Sequence, residues 1–168
     1  EMTRKDSQLD VTLNSLKLIK EKNKNIITKV GTVVSKINYD TLDRLGELLY
    51  KDKNFAPDVW RLYQFTPLGE GKKVKNKFYI TDEEFDEVVK KIKNRFPDKN
   101  IGSLSNAESN DTYIFIAPNM EIVGLSDDDY ISLGNALDMS YTEIVELREK
   151  MKETLKNAKK NREWTITQ

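Results

Sequence analysis

Residues 26–38 read IITKVGTVVSKIN. Isoleucine, valine and threonine dominate this stretch, and its apolar character is nearly continuous. That is the pattern of a parallel strand covered on both faces. Lys29 nevertheless stands inside it, and an ammonium in a buried strand needs a reason, because an unpaired charge is costly to desolvate.

The surroundings of this strand set the fold class. Upstream, residues 11–22 place Val11, Leu13, Leu16, Leu18 and Ile19 among lysine and asparagine at helical spacing, and the polar residues 23–25 close the helix. Downstream, Asp40 opens a second helix with Leu42, Leu45, Leu48 and Leu49 on one face. VWRLYQF, residues 59–65, is rich in aromatic and branched side chains and follows Pro57, so it is expected as a second strand. Thr81 begins a third helix as an N-cap with Glu84 as its capping-box partner, followed by Phe85, Val88, Val89 and Ile92. TYIFIA, residues 112–117, is expected as the third parallel strand, and Pro118-Asn119 turns it into a short antiparallel EIVG at residues 121–124. Such alternation implies an α/β fold with parallel strands joined by right-handed crossovers. LSDDDY, residues 125–130, is expected as an acidic turn and residues 131–137 as a short helical stretch. Ser140, with Glu143 as its capping-box partner, is expected to cap a long helix through residue 158.

A chain of 168 residues is of ordinary single-domain size. Its 28 basic residues balance 28 acidic ones, so no global field favours nucleic acid or an acidic membrane, and any anion site must be local. The absence of cysteine and histidine excludes a disulfide framework, thiolate catalysis, a Ser-His-Asp triad and Cys/His metal sites within these residues. No apolar run approaches a membrane span and no signal-peptide pattern opens the sequence, so a soluble cytoplasmic protein is expected. Three parallel strands alone leave apolar edges. The chain is therefore expected to be the later part of a larger α/β protein, with self-association through an open sheet edge, the plainer alternative being a small open-sheet domain.

The carboxyl ends of parallel strands share one rim, where ligands sit in open sheets and barrels alike. Lys29, Arg61 and Tyr113 lie early or midway in the three expected strands. Lys29 and Arg61 together would hold phosphate or carboxylate oxygens, one as a point charge and the other as a planar fork. In the plainer reading Lys29 reaches water from a strand edge, Arg61 pairs with an acid such as Asp58, and Tyr113 is core. The loop TPLGEGKK, residues 66–73, follows the second strand, and Gly69 and Gly71 permit close backbone approach beside Lys72 and Lys73. It is not a Walker motif, because no serine or threonine follows the lysines. Asp127, Asp128 and Asp129 read as a solvated helix cap or a cation site, with no metal expected, and Ser103, Ser105, Asn106 and Asn110 as a polar loop.

Several of these pieces resemble the later half of a radical S-adenosylmethionine enzyme, in particular the viperin-like branch. KVGTVVSKIN resembles a strand of that family ending in an Asn-containing turn, with Lys29 on a lysine. WRLYQF resembles the family's Trp-Lys-Val-Phe-Gln strand, with Arg61 on a basic position and Gln64 on a glutamine. FYITDEEFDEVVKK resembles a Phe-Val-Ile-Gly-Asp-Glu-Glu-Phe helix start, and SNAESNDTYIF keeps a Ser-Asn pair, Asn106 included, followed by Tyr113. The similarity runs over roughly residues 26–124, and it departs at Gly31, where those enzymes carry an asparagine.

The resemblance implies the C-terminal part of a partial (β/α)6 TIM-like barrel over residues 1–125, with about three parallel strands, flanking helices and a short antiparallel hairpin, then a helical C-terminal extension over residues 126–168. It implies a 4Fe–4S cluster and S-adenosylmethionine for the full-length protein and neither for this chain, which lacks the CxxxCxxC motif. The implied partner is the N-terminal half of the barrel. The implied reaction is dehydration of a nucleoside triphosphate through a 5′-deoxyadenosyl radical, with Lys29, Arg61 and Tyr113 as phosphate ligands and Gly69, Gly71, Lys72 and Asn106 as loop contacts. Alternatives are a radical enzyme acting on another anionic or peptide substrate, and a non-enzymatic α/β interaction domain.

Overall fold

The structure is a computed structural model, and it describes residues 7–54, 56–109, 113–126 and 129–151. It divides into two compact units, Glu1–Phe65 with Asn76–Ser105, and Thr66–Lys75 with Asn106–Gln168.

In the first unit, helix α1 (Ser7–Lys22) precedes strand β1 (Lys29–Val34), helix α2 (Leu42–Tyr50), strand β2 (Val59–Gln64), helix α4 (Asp82–Arg95) and strand β3 (Ile101–Leu104), and the short helix α3 (Lys75–Phe78), whose first residue is counted with the second unit, comes before α4. The strands form a parallel sheet in the order β1-β2-β3. Each crossover therefore moves to the adjacent strand in the same direction, and right-handed crossovers of that kind place their helices on one face. The core agrees with this winding. Leu42 and Leu49 of α2 and Phe85, Val88, Val89 and Ile92 of α4 pack with Val34, Trp60, Leu62 and Ile101 of the sheet. Gly46 lets α2 approach closely, since a Cβ there would stand 2.4 Å from a ring carbon of Phe96 and 3.0 Å from Trp60. Thr81 and Glu84 form the expected capping box at the start of α4. Buried Gln64 ties β2 to that helix start, donating to the Ile80 carbonyl at 3.1 Å and to Asp82 at 2.9 Å.

At the opposite end of the sheet, Asp58 Oδ2 accepts from the Thr28 amide at 2.6 Å, from the Thr28 hydroxyl at 2.9 Å and from Lys20 at 2.5 Å. These contacts pin α1 to the starts of β1 and β2. The Lys20 ammonium, then the Thr28 amide, holds the Asp58 carboxyl down at about 2.

In the second unit, a 3-10 turn (Gly69–Val74) and a short helix α5 (Asn106–Ser109) accompany an antiparallel meander of β4 (Ile114–Ile116), β5 (Glu121–Ser126) and β6 (Asp129–Asn135), followed by helix α6 (Tyr141–Glu149). Ile131 and Met151 form a small buried cluster with Ile114 and Leu133 packed against it. A bulge opposite Ile122 and Val123 is accommodated at Gly134, whose φ of 139° suits glycine. Ser140 and Glu143 form the expected capping box. The terminal helix expected through residue 158 is instead interrupted early, since α6 ends at Glu149 with Lys150 as its C-cap, and residues 152–158 lie outside the described residues.

Three expectations are corrected. The third parallel strand is Ile101–Leu104, not residues 112–117. Residues 114–116 pair instead with β5 in the antiparallel sheet, and Thr112 lies outside the described residues. The stretch expected to be helical at residues 131–137 is largely strand, because β6 pairs along β5. β1 is not covered on both faces, since its exposure alternates along the strand and Val33 remains 54% exposed. The boundary drawn between residues 125 and 126 passes within β5. Among the described residues, no helix is long and apolar enough to cross a membrane.

Candidate functional site: the open face of the parallel sheet

Side chains alternate between the faces of a strand, so the register sorts the sheet into two sets. Val34, Trp60, Leu62 and Ile101 face the helices. The opposite set is Lys29, Gly31 and Val33 of β1, Val59, Arg61 and Tyr63 of β2, and Gly102 and Leu104 of β3. Two of these residues are cations and none is acidic. The face carries local positive charge in a chain of zero net charge.

Lys29 and Arg61 thus share one face on adjacent strands. Lys29 is the partner of Val59, two positions before Arg61, and strand rise and spacing put the two Cα atoms roughly 8 Å apart. Arg61 does not pair with Asp58, whose described partners are Lys20 and Thr28. The Arg61 Nε is buried and has no hydrogen-bond partner among the described residues. A buried guanidinium nitrogen left unmatched is the kind of group that a ligand or solvent completes.

Glycines flank Arg61 on both neighbouring strands. Its register partners are Gly31 on one side and Gly102 on the other. The Arg61 stem lies along Gly102, where an added Cβ would make an ordinary 3.7 Å contact with Cδ and Nε. Gly31 is crossed by the ring of Tyr63, and the Lys29 Nζ lies 5.8 Å from that ring's centroid. The strand pattern identified Lys29 and Arg61. It passed over Tyr63, Gly31 and Gly102 because their significance lies in the cross-strand register.

The remaining candidate site residues, Tyr113, Gly69, Gly71, Lys72 and Asn106, lie in the second unit, whereas Ser103 and Ser105 belong to the first. Tyr113 precedes β4, is 39% exposed and stacks with Phe115 at 6.4 Å between centroids. It is not on a third parallel strand, so convergence from three successive strands is not the arrangement found. Gly69 opens the 3-10 turn with φ of 50°, and the Gly71 amide donates to the Leu68 carbonyl at 2.8 Å. Lys72 pairs with Asp129 of β6 at 3.2 Å and Lys73 with Glu70 at 2.8 Å. Asn106 is buried at the start of α5 and accepts from the Thr66 hydroxyl at 2.5 Å. Ser103 belongs to β3, Ser105 follows it, and Asn110, Asp127 and Asp128 lie outside the described residues.

These residues do not fit the iron–sulfur cluster that the resemblance implies, because the chain offers no thiolate or imidazole. No protein-family model and no curated protein matches the chain.

Proposed function

We propose that the chain is the C-terminal part of a partial (β/α)6 barrel in a radical S-adenosylmethionine enzyme of the viperin-like type. In this reading the open sheet face holds the polyphosphate of a nucleoside triphosphate substrate. The carrying observation is the buried, unmatched Nε of Arg61, set between Gly31 and Gly102 on the face that also carries Lys29.

The winding supports the barrel. Strands in sequential order with their crossover helices packed on one face leave the other face free, as in a barrel lumen, whereas a doubly wound sheet covers both. The cluster thiolates and the S-adenosylmethionine site fall to a barrel half outside these 168 residues, and no chemical step is assigned to this chain. Its own contribution is binding. Arg61 and Lys29 grip the polyphosphate, and binding energy from that remote group positions the sugar. The edge of β1, which among the described residues pairs only with β2, is where a neighbouring barrel strand adds, and in the isolated chain it is where copies self-associate.

Calorimetry with a nucleoside triphosphate and with its nucleoside tests the reading. The triphosphate should bind saturably and the nucleoside at least about tenfold more weakly, the scale of one charged hydrogen bond. Arg61→Ala should weaken the triphosphate by about 1.5–3 kcal/mol and leave the nucleoside unchanged. Equal losses for both ligands would make Arg61 structural and overturn the proposal.

A further inference from the structure

Tyr63 stands on the same face, two residues beyond Arg61 on β2. The register places it beside Val33, so Lys29 lies four positions earlier, roughly 13 Å along the strand. Its ammonium nevertheless sits 5.8 Å from the Tyr63 ring centroid. The separation closes only if the lysine runs along β1 toward its carboxyl end and the tyrosine leans back to meet it. Gly31 lies between them on the same face, and its missing side chain makes the meeting possible. A Cβ at Gly31 would stand 3.0 Å from the Tyr63 Cε2. Gly31 is also the register partner of Arg61, so the lysine is carried toward the level of the guanidinium.

We propose that Tyr63 is a positioning residue for an anion site: its ring, laid across Gly31, holds the Lys29 ammonium level with Arg61, so that two cations from adjacent strands face one polyphosphate. The inference rests on the reading of this face as a polyphosphate site. A lysine free on an open face has many rotamers to lose on binding, and a ring within about 6 Å of the ammonium restricts them beforehand. The ring face supplies the attraction, so the phenolic hydroxyl is dispensable and phenylalanine suffices.

The probe is inorganic tripolyphosphate, titrated calorimetrically into the 168-residue chain and into Tyr63→Phe, Tyr63→Leu, Lys29→Ala and the Lys29→Ala/Tyr63→Leu double variant. Tyr63→Phe should bind within about twofold of wild type. Tyr63→Leu should bind about two- to fivefold more weakly, the fold-change matching an exposed cation–π contact. In the Lys29→Ala background the leucine substitution should change nothing further, because the ring acts through the ammonium. A loss that persists without Lys29 would make Tyr63 a packing residue and overturn the inference. So would wild-type binding in Tyr63→Leu while Lys29→Ala is impaired, and that result leaves the polyphosphate reading standing. Absence of saturable binding to wild type removes both. If Tyr63→Leu fails to fold, Gly31→Ala takes its place, since the added methyl displaces the ring and should reproduce the Lys29-dependent loss.

Discussion

The two faces of the parallel sheet are made from alternate residues of the same strands, yet they solve different problems. On the covered face, Val34, Trp60 and Leu62 have no solvent exposure, and the polar atoms of the strands that go inside are matched: the Trp60 indole donates to Thr32 at 2.9 Å and Gln64 donates to Ile80 and Asp82, while the Tyr50 hydroxyl of α2 is buried beside them without a partner among the described residues. On the open face Val33 is more than half exposed, Arg61 keeps a buried nitrogen unmatched, and Lys29 has an aromatic ring in place of an acid. Burial with complete hydrogen bonding stabilises, whereas unmatched polar groups on an accessible face favour binding. The covered side holds the unit together, and the open side is free to recognise a ligand.

Substitutions on the two faces should separate these roles. Trp60→Ala removes a fully buried ring that meets the rings of Tyr50 and Phe96, and it should cost about 3–5 kcal/mol in urea unfolding followed by circular dichroism. A cost below about 1 kcal/mol would mean that the covered face is not the unit's core.

A pair of glycines gives a smaller but sharper contrast. Gly46→Ala improves helix propensity by about 1 kcal/mol but forces a methyl into Phe96 and Trp60, an overpacking cost of about 1–3 kcal/mol, so net destabilisation is expected. Gly102→Ala on the open face meets only ordinary contacts and should leave stability within about 0.5 kcal/mol of wild type. Equal thermal-melt shifts for the two would erase the distinction between the faces.

The smallest effect concerns the tie between α1 and the sheet. The folded pKa of Asp58 lies below its usual value of 3.8, at about 2, chiefly through Lys20 and then Thr28. A depressed carboxyl contributes stability above its unfolded pKa and loses it as pH falls through the folded one. The contribution should therefore be present above about pH 4 and disappear toward pH 2. With the side chain 41% exposed, screening holds it to about 1 kcal/mol or less. Asp58→Asn should flatten the stability profile in that acid window. An unchanged profile would remove Asp58 as the pin.

Local chemistry was legible in the sequence where it closes within a few residues. Thr81 with Glu84 and Ser140 with Glu143 begin their helices as the capping pattern requires, and Phe85, Val88, Val89 and Ile92 are the buried face of α4. β1 and β2 announce themselves through branched and aromatic residues, and Lys29 and Arg61 stand out as charges within them. Tertiary pairing decided the rest. IGSL has too little length and β-propensity to read as a strand, and lying beside β2 makes it one, whereas IFI is more strand-like in composition and joins the antiparallel sheet. Residues 131–135 fit either period until pairing with β5 settles them as strand. The open face was hidden for a related reason. Gly31 and Val33 are not polar, so β1 reads as buried on both sides, although only its Val30, Thr32 and Val34 side faces the helices. Hydrophobic patterning reports what a residue is, but exposure depends on which elements pack above it, and the sequential winding of this sheet places them all on one side.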